Sequence, residues 1–178
     1  LTAFVEKVIT DAGIDVDIAF CPERIAEGKA IEELTALPQI ISGCTTRAVD
    51  RADTFFARLD VETVRLEPVE AELAKLFTNT WRYIKFAAVN QFYMLANSRG
   101  LDFERIRAGL ARAYPRAADM PAAGFAAGPC LFKDTMQMAA LKDINFNLGH
   151  AARLDNGGRH RSGASQLRGG ASRACSTV

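Results

Sequence analysis

"PVEAELAKLFTNTWRYIKFAAVNQFYMLAN", residues 68–97, contains no glycine, and no proline after its first position. Val69, Leu73, Leu76, Phe77, Ile84, Ala87, Phe92 and Leu95 recur along it at helical spacing, the mark of one continuous amphipathic helix. At 1.5 Å per residue, roughly 30 residues of helix extend about 45 Å, a length suited to the spine of a helical domain or to a dimer interface. Downstream, "LDFERIRAGLARA" (101–113) predicts a shorter helix with Asp102 at its N-cap. A small-residue loop, "GFAAGPCLFKD" (124–134), is followed by a further helical stretch, "DTMQMAALKDINF" (134–146). The second half of the chain is thus expected to be mostly α.

Upstream the pattern differs. "LTAFVEKVIT" (1–10) places Leu1, Val5, Val8 and Ile9 at helical spacing, and "DAG" (11–13) closes the helix with glycine. "DVDIAF" (15–20), "PQIISG" (38–43) and "VETVRL" (61–66) read as strands. Between them, "PERIAEGKAIEEL" (22–34) reads as a helical turn and a short helix, and "TTRAVDRADTFFARL" (45–59) as an amphipathic helix capped by threonine. Strands alternating with helices are α/β grammar. The expected organisation is the end of an α/β domain over 1–66, a helical domain over 67–150, and a tail over 151–178. That tail is rich in Gly, Ser, Ala and Arg with no apolar period, a composition that predicts disorder. The chain opens in a helix without an initiator methionine, as expected of a piece of a longer protein.

Composition narrows the function. With 178 residues, 49% hydrophobic content and a net charge of +1, the chain can bury a core, and its overall balance points to neither a nucleic-acid nor a membrane partner. The tail carries five arginines against one aspartate, a local +4 that leaves −3 for residues 1–150. Cys21, Cys44, Cys130 and Cys175 form no CxxC pair, and the only histidines are His150 and His160. Neither a metal site, nor a disulfide framework, nor a Ser-His-Asp triad is expected. No apolar run reaches a membrane span of ~18 residues, so the expected setting is the cytoplasm with reduced thiols.

Several polar side chains fall at spacings that suit chemistry. Lys75 and Asn79 are four apart on the long helix and stack on one face, which Glu72 and Arg82 share. Pro22 suits a first helical position, with Glu23 and Glu27 four apart behind it. Together with Cys130 and Asp134 they form the inventory of covalent acyl chemistry: a thiolate to attack a carbonyl, a cation and an amide to stabilise an oxyanion, and carboxylates to move protons. Each residue also has a plainer reading. A lone cysteine is more often an inert buried thiol, a helix lysine a solvated surface group, and an acidic pair a favourable helix start. Spacing alone leaves the function open.

The strings narrow it. "CPERIAEG" (21–28), "PQIISG" (38–43), "AELAKLFTNT" (71–80) and "GFAAGPCLFKD" (124–134), in this order, closely resemble the nucleotide-sugar dehydrogenases. That family includes the UDP-glucose, GDP-mannose and UDP-N-acetylhexosamine 6-dehydrogenases, and the resemblance extends over about residues 10–150. It implies the C-terminal part of a Rossmann-like NAD-binding domain, followed by a helical central domain with one long helix. By motif, Cys130 matches the family's nucleophile, Lys75 and Asn79 its active-site lysine and asparagine, and Asp134 the acid after the cysteine. Glu23 and Glu27 match its two acidic positions. Gly124, Phe125, Gly128 and Lys133 fall on the loop that meets the substrate. The implied reaction uses two NAD⁺. The C6 alcohol becomes an aldehyde, Cys130 adds to it, a second hydride loss gives a thioester, and water releases the carboxylate. In this scheme Lys75 favours the thiolate and stabilises the alkoxide, Asn79 and Asp134 hold the water, Glu23 is the general base, and Glu27 lies nearer the substrate loop. The implied partners are a nucleotide sugar, with a UDP-sugar and in particular a UDP-N-acetylhexosamine favoured, and a second copy of the chain.

The sequence also departs from the family. It contains no GxGxxG fingerprint with its following ribose-binding acid, so the main NAD site is expected outside it and the chain alone is expected to be inactive. After "NFNLGHAA" (145–152) the family would continue into a nucleotide-binding domain, whereas this chain turns to "RLDNGGRHRSGASQ" (153–166), as a frameshifted or chimeric gene end would. The rival reading is a catalytically silent helical dimerisation module. A 6-phosphogluconate-type dehydrogenase would use lysine and asparagine without a nucleophilic cysteine, and "GPCLFKD" argues against it.

Overall fold

The computed structural model describes residues 1–26, 28–124, 128–141 and 146–154. The chain divides into two compact units, Leu1–Thr78 and Asn79–Val178, so the division falls inside the long helix.

In the first unit, α1 (Thr2–Asp11) ends as the sequence predicts. Gly13 adopts φ +70, its N–H bonds Thr10 O at 2.9 Å, and Ile14 N–H bonds Ile9 O at 3.2 Å. This pair of bonds needs a left-handed residue, which glycine supplies without strain. Strands β1 (Ala19–Phe20), β2 (Gln39–Gly43) and β3 (Thr63–Arg65) form a sheet in the order β1-β2-β3. β2 runs parallel to β3, with Gln39 opposite Thr63, and antiparallel to β1, with Ala19 opposite Gly43. The successive residues Ile40, Ile41 and Ser42 are all buried, so both faces of β2 are covered and its sequence reads as a run rather than an alternation.

Helix α3 (Thr46–Phe56) follows β2, and Thr45 Oγ1 accepts the Ala48 N–H at 3.1 Å as the predicted cap. The approach is tight: a Cβ on Gly43 would lie 2.9 Å from both Ala48 Cβ and Val49 N. β1 is shorter than the six residues expected because its partner ends at Gly43. Cys44 N–H still reaches Ile18 O at 3.0 Å, but Asp17 then turns to α3, accepting from Arg47 at 2.7 Å and Arg51 at 2.6 Å. Those guanidinium bonds, Arg51's foremost, hold the Asp17 carboxyl below its ordinary value.

The helical turn expected at Pro22 does not form. Glu23's carboxylate takes the Ile25 N–H, Glu33 takes the Ala26 N–H at 2.7 Å, and Gln39 Nε2 donates to Pro22 O at 3.1 Å. The groups that a first turn would pair with one another are thus bonded to side chains. The short helix of the same stretch is present as α2 (Ala30–Ala36).

Glu72, on α4 (Pro68–Ser98), secures the start of α1. Its carboxylate accepts from Thr2 N–H and Thr2 Oγ1, both at 2.5 Å, and from the Leu1 ammonium at 2.8 Å. Burial opposes the charge, but these donors outweigh it and lower the carboxyl from 4.5 to about 2. A depressed folded-state value contributes stability that is complete above the ordinary value and is lost as pH falls through the folded one. In the 178-residue chain, where the Leu1 ammonium is one of these donors, the attachment of α1 is therefore expected to hold from neutrality to pH 4.5 and to loosen between there and about 2. Amide protection across residues 2–11 checks this, and Glu72→Gln should remove the dependence.

In the second unit, α4 continues as the unbroken helix that its sequence predicts, and α5 (Phe103–Ala111) follows. Asp102 caps α5 by accepting the Glu104 N–H at 2.9 Å and the Arg105 N–H at 3.2 Å. α6 (Gly128–Ala139) begins before the expected 134 and ends before 146. Pro129 sits in its first turn, where the missing N–H costs nothing, and this places Cys130 on a helix rather than in a loop. Residues 147–154 are also helical, so helix continues past Ala151; residues 155–178 of the expected tail lie outside the described residues.

Tyr83, Ala87, Leu131 and Ala152 form one buried cluster, and Val89, Ala96 and Phe103 another, with Met120 and Ala123 packed against the second. The inward residues of α4 include Thr80, Ala87 and Asn90, whereas Phe77, Trp81 and Leu95 are more than half exposed. The packed face of α4 thus mixes small and polar residues with Tyr83 and Val89, and leaves Phe77 and Leu95 of the apolar stripe outside. Among the described residues, no helix is long and apolar enough to cross a membrane.

Candidate functional site

The candidate residues form two groups, one in each unit. In the first, Lys75 is half-buried on α4, and its Nζ donates to the backbone oxygen of Glu23 at 2.8 Å. The main chain of Glu23, not its carboxylate, meets the lysine; the carboxylate is exposed and accepts the Ile25 N–H. Arg24 bonds Pro38 O, so the segment carrying Glu23 is tied both to the start of β2 and to α4. Glu27 lies outside the described residues.

In the second group, Cys130 is the third residue of α6 and is exposed. Asp134 follows one turn later, so the two share a helix face. Asp134 is 2% exposed, and Asn79 Nδ2 donates to its Oδ2 at 2.6 Å. Lys133 Nζ lies 3.4 Å from Asp134 Oδ1 and is itself exposed. A buried carboxylate needs such partners. Gly124 is bonded to the side chain of Asn90, Gly128 opens α6, and Phe125 lies outside the described residues.

All three described cysteines are free. Burial pushes the Cys21 thiol up, and burial with the neighbouring Glu6 does the same for Cys44. Cys130 stands in the first turn of a 12-residue helix. No cluster of potential metal ligands is found among the described residues.

Two features escaped the sequence reading. The early start of α6 was signalled by Pro129, a residue suited to a first helical turn. The contact between Asn90 and Gly124 had a fainter signal: Asn90 lies eleven residues after Asn79, about three helical turns, and so on the same face.

A family model described as "UDP-glucose/GDP-mannose dehydrogenase family, central domain" matches residues 69–156. A UDP-N-acetyl-D-mannosamine dehydrogenase of Yersinia pestis is 30% identical over 147 residues, covering 82% of this chain and 34% of the relative. The chain thus spans about a third of the length of that relative. Among solved structures, a UDP-D-ManNAc dehydrogenase from Pyrococcus horikoshii aligns with TM-score 0.83 and 26% identity, covering 93% of this chain and 41% of that one. A UDP-glucose dehydrogenase from Pyrobaculum islandicum aligns with TM-score 0.80 and 22% identity, over 92% of this chain and 39% of that one, a likeness of fold.

Proposed function

Because the chain belongs, through residues 69–156, to the UDP-glucose/GDP-mannose dehydrogenase family, we propose that it is part of a nucleotide-sugar 6-dehydrogenase that makes a carboxylate through a thioester at Cys130. The observation that carries this reading is the local geometry around α6. An exposed thiol stands in the first turn, one turn from a buried carboxylate that Asn79 holds at 2.6 Å.

In this reading Cys130 adds as thiolate to the C6 aldehyde. Lys75 supplies the cation that stabilises oxyanions at C6. Asn79 and Asp134 orient the water that cleaves the thioester, and Glu23 takes its proton. Gly124, Phe125, Gly128 and Lys133 bind substrate, with Glu27 alongside. A UDP-sugar is the favoured substrate, and a UDP-N-acetylhexosamine in particular, in keeping with the relatives' names. The enzyme works in the cytoplasm, where a nucleophilic thiol stays reduced. A second copy of the chain covers the exposed aromatic face of α4. Residues 1–66 are the end of a dinucleotide-binding domain, and residues 67–150 a central domain.

The cofactor would be NAD⁺, two molecules of which would each take up one hydride. The tight turn from β2 into α3 does not fit its pyrophosphate: Gly43 is closed in by Ala48 and Val49, with 2.9 Å to a would-be Cβ. No step at the cofactor is assigned to residues of this chain, and the 178 residues alone are expected to be inactive.

NADH absorbance with a panel of UDP- and GDP-sugars tests the reading. The longer enzyme containing this chain is expected to form two NADH per sugar, and the isolated chain none. Turnover by the isolated chain would overturn its status as a part, and one NADH per sugar would overturn the thioester route.

A further inference from the structure

Asn90 shares a face of α4 with Asn79, about three turns away, and is 1% exposed. Its side chain closes a two-point contact with the main chain of Gly124. Nδ2 donates to Gly124 O at 2.9 Å, and Oδ1 accepts the Gly124 N–H at 3.0 Å. The carboxamide thus does for one residue what a neighbouring strand would do. Removing it strips a partner from both backbone groups. Gly124 is not there for want of space, since a Cβ would meet nothing within 4 Å. What fixes this point of the chain is the amide opposite.

The residues before Gly124 are held to the same unit. Lys85 pairs with Asp119 at 3.0 Å, Arg107 donates to Met120 O at 3.3 Å, and Met120 and Ala123 pack against Val89, Ala96 and Phe103. Three residues then separate Gly124 from Gly128, where α6 begins, and Cys130 follows in its first turn. The far side of that turn is pinned by the contact between Asn79 and Asp134 at 2.6 Å. Two asparagines on one helix face therefore hold the chain on either side of the thiol, one before it and one after.

We propose that Asn90 is a positioning residue for Cys130: through Gly124 it sets where along α4 the thiol is presented to the sugar. This rests on the reading of Cys130 as the nucleophile. Asn90 acts through the main chain of Gly124, so its removal acts on the rate of the covalent step more than on substrate binding. A displacement of the order of 1 Å at a reacting group costs about 10²-fold in rate.

The test uses Asn90→Ala and Asn90→Asp in the longer enzyme, with Cys130→Ser in parallel. Asn90→Asp keeps the size and the acceptor and sets a carboxylate oxygen, in place of the donor, against Gly124 O. The expected result is a kcat lower by about 10²-fold for alanine and at least about tenfold for aspartate, with KM changed by less than about threefold. The rate of iodoacetamide alkylation at Cys130, followed by peptide mass spectrometry, should change, while Cys21 and Cys44 keep theirs. Folded variants with kcat and the Cys130 alkylation rate unchanged would overturn the proposal. Failure of both variants to fold would also overturn it, in favour of a purely architectural role. If Cys130→Ser itself turns over normally, the nucleophile reading fails and takes this inference with it; an inactive Cys130→Ser beside unaffected Asn90 variants sinks this inference alone.

Discussion

Cys130→Ser is expected to lower carboxylate formation by the longer enzyme by about three orders of magnitude or more, the scale seen when a covalent nucleophile is removed. A serine hydroxyl at the start of α6 is a far weaker nucleophile than a thiolate at neutral pH. The first oxidation, which needs no nucleophile, should survive better than the second. Rapid quenching and mass spectrometry should therefore find aldehyde with one NADH per sugar in the variant and carboxylate with two in the parent. Cys21 and Cys44, whose thiols are pushed up by burial, are not expected to substitute for it. Parent-like turnover of the serine variant would remove Cys130 from the mechanism.

Lys75→Ala is expected to lower kcat by about 10²- to 10³-fold, the range for losing one preorganised oxyanion donor. Its Nζ is held by Glu23 O at 2.8 Å, a neutral acceptor that orients the ammonium without neutralising it. Stopped-flow NADH formation in a single turnover separates this effect from product release. A loss confined to KM, or one below about tenfold, would mean that Lys75 only tethers the Glu23 segment to α4, since a group acting in the transition state lowers kcat.

Elements with strong local signals were legible in the sequence. α4 needed only the absence of breakers over 30 residues; α3 and α5 announced their caps in Thr45 and Asp102; and the end of α1 was written in Gly13. The misses have long-range causes. The turn at Pro22 has the right residues for a helix, but Gln39 and Glu33, distant in sequence, take its backbone groups. β1 is cut short by the end of β2 and by arginines on α3. On α4, period showed which residues share a face, but not that Phe77 and Leu95 would be exposed while Asn90 is buried.

For the candidate residues, sequence spacing did not show that Cys130 and Asp134 would share one turn of α6, nor that Asn79 would hold Asp134, 55 positions away. Nor could spacing show that Lys75 meets the main chain of Glu23 rather than its carboxylate. The Asn90–Gly124 contact was hidden for a related reason. A buried asparagine within an apolar run looks like a flaw in the pattern until the backbone that it pairs with is known.

The central claim is that the sugar passes through a covalent bond to Cys130, and the most direct measurement is the mass of the Cys130 peptide during turnover. The longer enzyme, acid-quenched with NAD⁺ and its UDP-sugar, should carry on Cys130 an acyl adduct with the mass of the UDP-linked uronic acid less water. Hydroxylamine should release that adduct, as it does a thioester. An unmodified Cys130 peptide throughout a turnover that forms two NADH per sugar, or an adduct on another residue, would contradict the account.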